Sequence, residues 1–159
     1  MIFLKVDKKK LALSIALPLA TGGLSAFLTR DGMKAFEGIN KPPLAPPQWA
    51  FPVVWTALYV GMGIAAYLVD SSDASQIRKD RAFTAYYIQL ALNFVWSLIF
   101  FGMGLYLVAF CELVLLWAAV AVTLVLFRAI RKPAGNIMIP YLIWLTLAMY
   151  LNWGVYTLN

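Results

Sequence analysis

Long apolar stretches, separated by short polar segments, dominate the pattern of this sequence. The first stretch, residues 11–29, carries no charge and follows Lys8, Lys9 and Lys10. Its 19 residues are enough to cross about 30 Å of hydrocarbon at about 1.5 Å per residue. The second stretch follows a proline-rich segment, and because proline disrupts a helix interior we place its helix at residues 48–69. Both stretches predict transmembrane helices.

The apolar stretch over residues 82–127 is too long for a single crossing. It holds 46 residues with one charge, Glu112, and a single helix of that length would measure about 69 Å. The Gly-Met-Gly sequence at 102–104 is its only strong helix breaker, so the chain is expected to turn there. A last apolar run follows a basic segment. The remaining helices are predicted at 82–101, 105–127 and 136–156.

Composition supports a membrane protein. Apolar residues make up 63% of the 159 residues and charged residues 13%, whereas soluble domains contain about 25% charged residues. The five predicted helices use nearly the whole chain. We therefore predict an all-α integral membrane protein, a five-transmembrane-helix bundle that forms a single domain over residues 1–159.

Lysine and arginine are distributed unevenly between the two ends of this bundle. Ten lie in the N-terminal segment, the 2–3 loop and the 4–5 loop, whereas three lie in the 1–2 loop. Positive residues favour the cytoplasmic side, so we predict that the N-terminus, the 2–3 loop and the 4–5 loop are cytoplasmic. The 1–2 loop and the C-terminus are then outside. This topology accounts for the net charge of +6, which therefore does not indicate nucleic-acid binding.

The residues that are absent exclude several kinds of enzyme. There is no histidine, which excludes Ser-His-Asp and Cys-His nucleophiles and every histidine ligand of a metal. The single cysteine, Cys111, cannot form an intrachain disulfide. We therefore predict no metal site and no hydrolytic active site.

Polar and aromatic side chains recur at helical spacing within three of the spans. Gln89, Asn93, Trp96, Ser97 and Phe100 share one face of the third span. Lipid is a poor neighbour for these amides and hydroxyls, so this face is expected to point into the bundle. Such faces either pack helices together or line a ligand cavity, and spacing leaves both open. The corresponding faces of the second and fifth spans hold Trp55, Tyr59, Met62, Pro140, Trp144, Ala148, Leu151 and Asn152.

The loop before the second span is unusually rich in proline. Four prolines lie between residues 42 and 47, which predicts a stiff, extended segment of polyproline II type. Such a segment is either a lid over the bundle or a structured connector with an interfacial tryptophan at position 49.

Several ordered motifs carry a resemblance to a known family. They read KPPLAPPQWAF at 41–51, VWTALYVGMG at 54–63, QLALNFVWSLIFFG at 89–102, PYLIW at 140–144 and YLNW at 150–153. In this order they resemble the TspO/MBR family, which includes tryptophan-rich sensory proteins and the translocator protein, or peripheral benzodiazepine receptor.

The resemblance implies a membrane receptor, regulator of stress responses or carrier, commonly a homodimer in a lipid bilayer. Its cavity under the 1–2 loop would bind porphyrins, with protoporphyrin IX or a haem-type tetrapyrrole as ligand, or benzodiazepine-type and isoquinoline ligands. No other cofactor is implied, and the membrane would be a bacterial cell membrane. By position, the ligand-binding residues would be Phe36, Pro46, Trp55, Tyr59, Asn93, Trp144 and Ala148.

The sequence leaves three functional questions open. Lys41 is either a partner for porphyrin carboxylates or a charge that marks the membrane end. Some relatives degrade protoporphyrin in light, which would make Trp55 and Trp144 catalytic, and the sequence leaves open whether this chain is such an enzyme. Glu112, deep in the fourth span, is either a proton-linked element of a transporter or a neutral hydrogen-bonded acid.

Overall fold

The computed structural model describes residues 5–159; the first four residues of the predicted domain lie outside the described residues. Within these described residues, five helices are long and apolar enough to cross a membrane, so the predicted fold class is confirmed. The elements are α1 Lys8–Leu28, α2 Arg30–Phe36, α3 Ala50–Asp70, α4 Gln76–Ser97, a π-helical turn Leu98–Gly102, α5 Tyr106–Ile130 and α6 Lys132–Leu158.

The helix boundaries differ from the predicted ones mainly at the polar ends. α1, α4 and α6 begin earlier than predicted, at Lys8, Gln76 and Lys132. Hydropathy marks the part of a helix that lies in hydrocarbon, whereas backbone hydrogen bonding continues into the polar region beyond it. At the start of α1, for example, Asp7 Oδ1 accepts a hydrogen bond from the Lys10 backbone N–H at 3.1 Å.

The predicted turn between the third and fourth spans is present. The π-helical turn ends where the Met103 N–H donates to the Leu98 carbonyl at 3.0 Å. Gly104 then adopts a φ of 65°, a left-handed conformation in which glycine has no steric cost. The chain reverses there, and α5 starts directly after it.

The packing places the predicted polar face of the third span inside the bundle, whereas Pro140 of the predicted fifth-span face is exposed. α5 packs against both α4 and α6, while α1 lies mainly against α3. Gly63 permits this α1 contact, because a Cβ atom there would overlap the Ile15 backbone. Large apolar side chains remain exposed on the outside, as expected for a surface in contact with lipid. The whole predicted face of the third span is buried, namely Gln89, Asn93, Trp96, Ser97 and Phe100.

Polar contacts join the helices at the basic end of the bundle. Lys10 and Asp70 form a salt bridge of 2.7 Å between the start of α1 and the end of α3. Arg78 donates to the Ala129 carbonyl at 2.6 Å, which joins the start of α4 to the end of α5. The opposite end is covered by α2 and by the proline-rich residues 37–49, which together we call the lid.

Candidate functional site

A cavity of about 570 Å³ lies beneath the lid, between the helices. Its walls come from α1, α3, α4, the π-helical turn and α6, and α2 and the proline-rich segment close it from above. Most of its surface is apolar, and aromatic rings dominate it. These rings belong to Phe36, Phe51, Trp55, Tyr59, Trp96, Phe100, Phe101 and Trp144.

Trp55 and Trp144 meet inside this cavity. Their rings are perpendicular, with centroids 6.4 Å apart, and Trp55 also stacks on Tyr59 at 5.5 Å. Both tryptophans are half-buried. Trp96 and Trp117 donate indole hydrogen bonds within the described chain, whereas Trp55 and Trp144 donate none. The two indoles therefore offer aromatic surface and two unused N–H donors.

A chain of hydrogen bonds runs from the cavity wall into the core. The Tyr59 hydroxyl donates to Asn93 Oδ1 at 2.7 Å, and Asn93 Nδ2 donates to the Tyr141 hydroxyl at 2.9 Å. The Tyr141 hydroxyl donates in turn to Gln89 Oε1 at 2.9 Å. Gly22 on α1 leaves space for the Tyr59 ring, since a Cβ atom there would overlap it. These bonds hold the Tyr59 ring at the wall.

This chain of hydrogen bonds separates Asn93 from the other predicted ligand-binding residues. Asn93 is 2% exposed and does not line the cavity, because Tyr59 lies in front of it. The structure brings the other six predicted ligand-binding residues together around the cavity. Those that line the cavity are Phe36, Pro46, Trp55, Tyr59, Trp144 and Ala148.

The wall between α4 and α6 was not part of the predicted ligand site. Trp96 Nε1 donates to Asn152 Oδ1 at 3.1 Å, and Asn152 Nδ2 donates to the Tyr106 carbonyl at 2.7 Å. The π-helical turn then presents both Phe100 and Phe101 to Phe36 of the lid, at centroid distances of 5.5 and 5.3 Å. The polar faces of the third and fifth spans carried the signal for Trp96 and Asn152, whereas nothing in the sequence indicated the π-helical turn.

Lys41 lies at the mouth of the cavity. Its Nζ is 3.2 Å from the Glu37 carbonyl and 4.8 Å from the centroid of the Phe36 ring. Among residues 5–159 the one salt bridge is at the basic end, so no carboxylate oxygen of these residues lies within 4 Å of the Lys41 Nζ. Lys34 and Arg30, the other cations of the 1–2 loop, do not line the cavity. Lys41 is therefore the cationic group of its lining.

Other ionisable groups lie away from this cavity. Both carboxyl oxygens of Glu112 are buried in α5 and have no hydrogen-bond partner within the described chain. Cys111 is exposed on the outer surface of the same helix. Over residues 5–159, no group of three or more His, Cys, Asp and Glu side chains is arranged to hold a metal ion.

Comparison with known proteins identifies the family of this chain. The sequence pattern of the TspO/MBR family matches residues 14–158. The chain belongs to this family. This match confirms the resemblance found in the ordered motifs. Together with the five helices of the described chain that are long and apolar enough to span a membrane, it identifies an integral membrane protein.

Relatives of known name match over most of their length. Tryptophan-rich protein TspO of Chlorobaculum tepidum is 37% identical over 150 residues, which cover 94% of this chain and 95% of the relative. Tryptophan-rich sensory protein of Cereibacter sphaeroides is 38% identical over 142 residues, or 89% of this chain and 84% of the relative. Human translocator protein is 35% identical over 136 residues, covering 85% and 80%. All three similarities therefore concern most of the chain.

Proposed function

We propose that this TspO/MBR protein is a membrane receptor or regulator that binds porphyrins and related tetrapyrroles beneath its lid. The observation that carries the proposal is the cavity itself, which combines eight aromatic side chains with a single cation, Lys41, at its mouth. A porphyrin is a flat π-system with apolar faces and carboxylates along one edge. Aromatic walls stabilise such faces, and an ammonium at the mouth stabilises the carboxylates.

The volume of the cavity suits a ligand of this kind. Small-molecule sites commonly measure about 300 to 1,000 Å³ and hold a few polar groups within an apolar lining. The cavity of about 570 Å³ lies within this range. The same rings and the free indole N–H groups of Trp55 and Trp144 also suit benzodiazepine-type and isoquinoline ligands, which are aromatic and carry hydrogen-bond acceptors.

The proposal also covers the orientation of the protein in its membrane and its oligomeric state. The uneven distribution of basic residues supports a cytoplasmic basic end and a lid on the outer side. The membrane that we propose is a bacterial cell membrane. A homodimer is the assembly that the family resemblance supports. The family membership likewise supports a sensory role, in which occupancy of the cavity reports the ligand.

Quenching of tryptophan fluorescence tests the binding directly. Purified protein in detergent is titrated with protoporphyrin IX, and saturable quenching with a defined stoichiometry is expected. The Trp55→Phe variant should lose much of the quenched signal, because Trp55 lines the cavity. Trp153→Phe is the matched control, since Trp153 is 47% exposed and lies outside the cavity. Linear, non-saturating quenching of the wild-type protein would contradict the proposal.

The contact between Trp55 and Trp144 favours a second activity, which is light- and oxygen-dependent degradation of the bound porphyrin. Molecular oxygen is the oxidant: the light-excited porphyrin and oxygen take an electron from a neighbouring indole, and the indole radical recovers that electron from the macrocycle. The oxidised macrocycle then reacts with further oxygen, and Trp55 and Trp144 both line the cavity in which it would lie. Loss of protoporphyrin absorbance under light and air is expected with wild type, and much less with Trp55→Phe or Trp144→Phe. Equal bleaching with and without protein would exclude this activity.

A further inference from the structure

Hydrogen bonds join the proline-rich part of the lid to the C-terminal part of α6 and to Asn159. The Tyr150 hydroxyl donates to the Pro43 carbonyl at 2.6 Å. Near the end of the same helix, Asn159 Nδ2 donates to the Asn40 carbonyl at 2.9 Å, and Asn159 Oδ1 accepts from the Asn40 N–H at 3.1 Å. These side-chain bonds hold the backbone of the lid.

The lid also packs closely on α6 beside these bonds. Gly154 lies against the ring of Pro42, and a Cβ atom at this position would overlap that ring. Pro42 is buried and lines the cavity, so the contact with Gly154 supports a part of the lid that borders the ligand space. The YLNW motif at 150–153 thus contributes Asn152 to the cavity wall and Tyr150 to the attachment of the lid.

The segment that Tyr150 holds is in a strained conformation. Leu44 directly follows Pro43 and has a φ of 66°, a left-handed conformation that branched and bulky residues rarely adopt. Its side chain is 88% exposed, so packing of that side chain does not account for the strain. Such strain persists only where neighbouring contacts maintain it. The bond from Tyr150 to the adjacent carbonyl is a contact of this kind.

We propose that Tyr150 is a positioning residue that keeps the lid closed and thereby sets how fast a tetrapyrrole enters and leaves the cavity. This inference rests on the proposed function. A flat macrocycle enclosed by α1, α3, α4, α6 and the lid has to pass the lid, and lid opening breaks the bond between Tyr150 and Pro43. Tyr150 does not line the cavity, so its bond stabilises the closed lid equally with and without ligand.

This arrangement has a specific kinetic signature. Removal of the Tyr150 hydroxyl raises the association rate and the dissociation rate together, because both require an open lid. A neutral hydrogen bond of ordinary strength corresponds to an increase of roughly three- to tenfold in each rate. The equilibrium dissociation constant stays within about twofold of wild type, since the hydroxyl does not touch the ligand. A ligand contact, in contrast, would change the affinity.

Stopped-flow quenching with protoporphyrin IX measures both rates on the full chain in detergent. Association is followed after mixing, and dissociation after addition of excess apomyoglobin as a porphyrin acceptor. The test variant is Tyr150→Phe. Tyr156→Phe is the matched control, because Tyr156 lies on the same helix, is 40% exposed against 44% for Tyr150, and makes no hydrogen bond to residues 5–159. Asn159→Ala is a second test variant that removes the neighbouring attachment.

The outcomes separate this inference from the proposed function. Faster association and dissociation in Tyr150→Phe and in Asn159→Ala, with wild-type rates in Tyr156→Phe, support it. Rates within twofold of wild type in both test variants overturn it, as does a loss of affinity with an unchanged association rate. If Tyr150→Phe does not fold, Asn159→Ala decides in the same way. Absence of saturable quenching in the wild-type protein overturns the proposed function and, with it, this inference.

Discussion

The Tyr59 hydroxyl donates a hydrogen bond of 2.7 Å to Asn93 Oδ1, which places Asn93 behind the cavity wall and not in it. The sequence placed both residues among the ligand contacts. In the structure both polar atoms of the Asn93 amide are hydrogen-bonded, since its nitrogen donates to Tyr141 at 2.9 Å. Asn93 therefore acts on a bound ligand indirectly, and the Tyr59 ring is the cavity residue to which it is bonded.

A double-mutant cycle tests this transmission. We expect Asn93→Ala and Tyr59→Phe each to weaken protoporphyrin binding by roughly three- to tenfold, because each releases the ring from its hydrogen bond. The double variant should be no weaker than the stronger single variant. Equilibrium quenching titrations measure all four affinities. Additive losses would instead mean that Asn93 contacts the ligand independently of Tyr59.

Adjacent glycines on α1 provide a matched pair for the cavity wall. A Cβ atom at Gly22 would overlap the Tyr59 ring, whereas Gly23 has no atom within 4 Å of such a Cβ. We expect Gly22→Ala to lower the free energy of unfolding by about 1 to 3 kcal/mol and to weaken porphyrin binding. Gly23→Ala should be neutral or slightly stabilising, since alanine favours helix more than glycine does.

Thermal unfolding in detergent, followed by circular dichroism, measures the effect of both substitutions. A Gly22→Ala variant with wild-type stability and affinity would show that the Tyr59 ring moves aside without cost, which would contradict a fixed wall.

Lys41 should recognise the charged edge of the ligand. We expect Lys41→Ala to weaken the binding of protoporphyrin IX by about three- to tenfold, because a charge-assisted contact is lost at a partly exposed site. The affinity for protoporphyrin dimethyl ester, which has no carboxylates, should change by less than twofold. Lys34→Ala serves as the control, since Lys34 does not line the cavity. An equal loss for the acid and the ester would rule out recognition of the carboxylates.

Glu112 should be dispensable for ligand binding. Its two carboxyl oxygens are buried and have no partner within residues 5–159, and it does not line the cavity. We expect Glu112→Leu to raise the free energy of unfolding by about 1 to 3 kcal/mol, since an unpaired polar group is removed from an apolar surrounding. Porphyrin affinity should be unchanged, and its pH dependence should be the same in wild type and variant. A marked loss of stability or affinity would reveal a partner for the carboxyl group.

Some features of the site were recognisable from local sequence and others were not. The stripe from Gln89 to Phe100 indicated a buried face, because amides and indoles avoid lipid. The short helix α2 was missed, since seven residues carry too little periodic signal within a polar loop. The π-helical turn was missed as well. It changes which side of the helix Phe101 faces, and this depends on contacts with the lid that spacing along the chain does not contain.

Hydropathy, charge and the ordered motifs were sufficient for the five spans, the turn at Gly104 and the family. These properties follow from the chemistry of consecutive residues, because each stretch must suit either hydrocarbon or water wherever it lies. Three-dimensional packing was needed for everything that depends on distances between remote residues. The meeting of Trp55 with Trp144, the position of Asn93 behind Tyr59 and the attachment of Pro43 to Tyr150 each join different elements. The assembly of the helices and the lid therefore decides which side chains line the cavity, which lie behind its wall and which attach the lid.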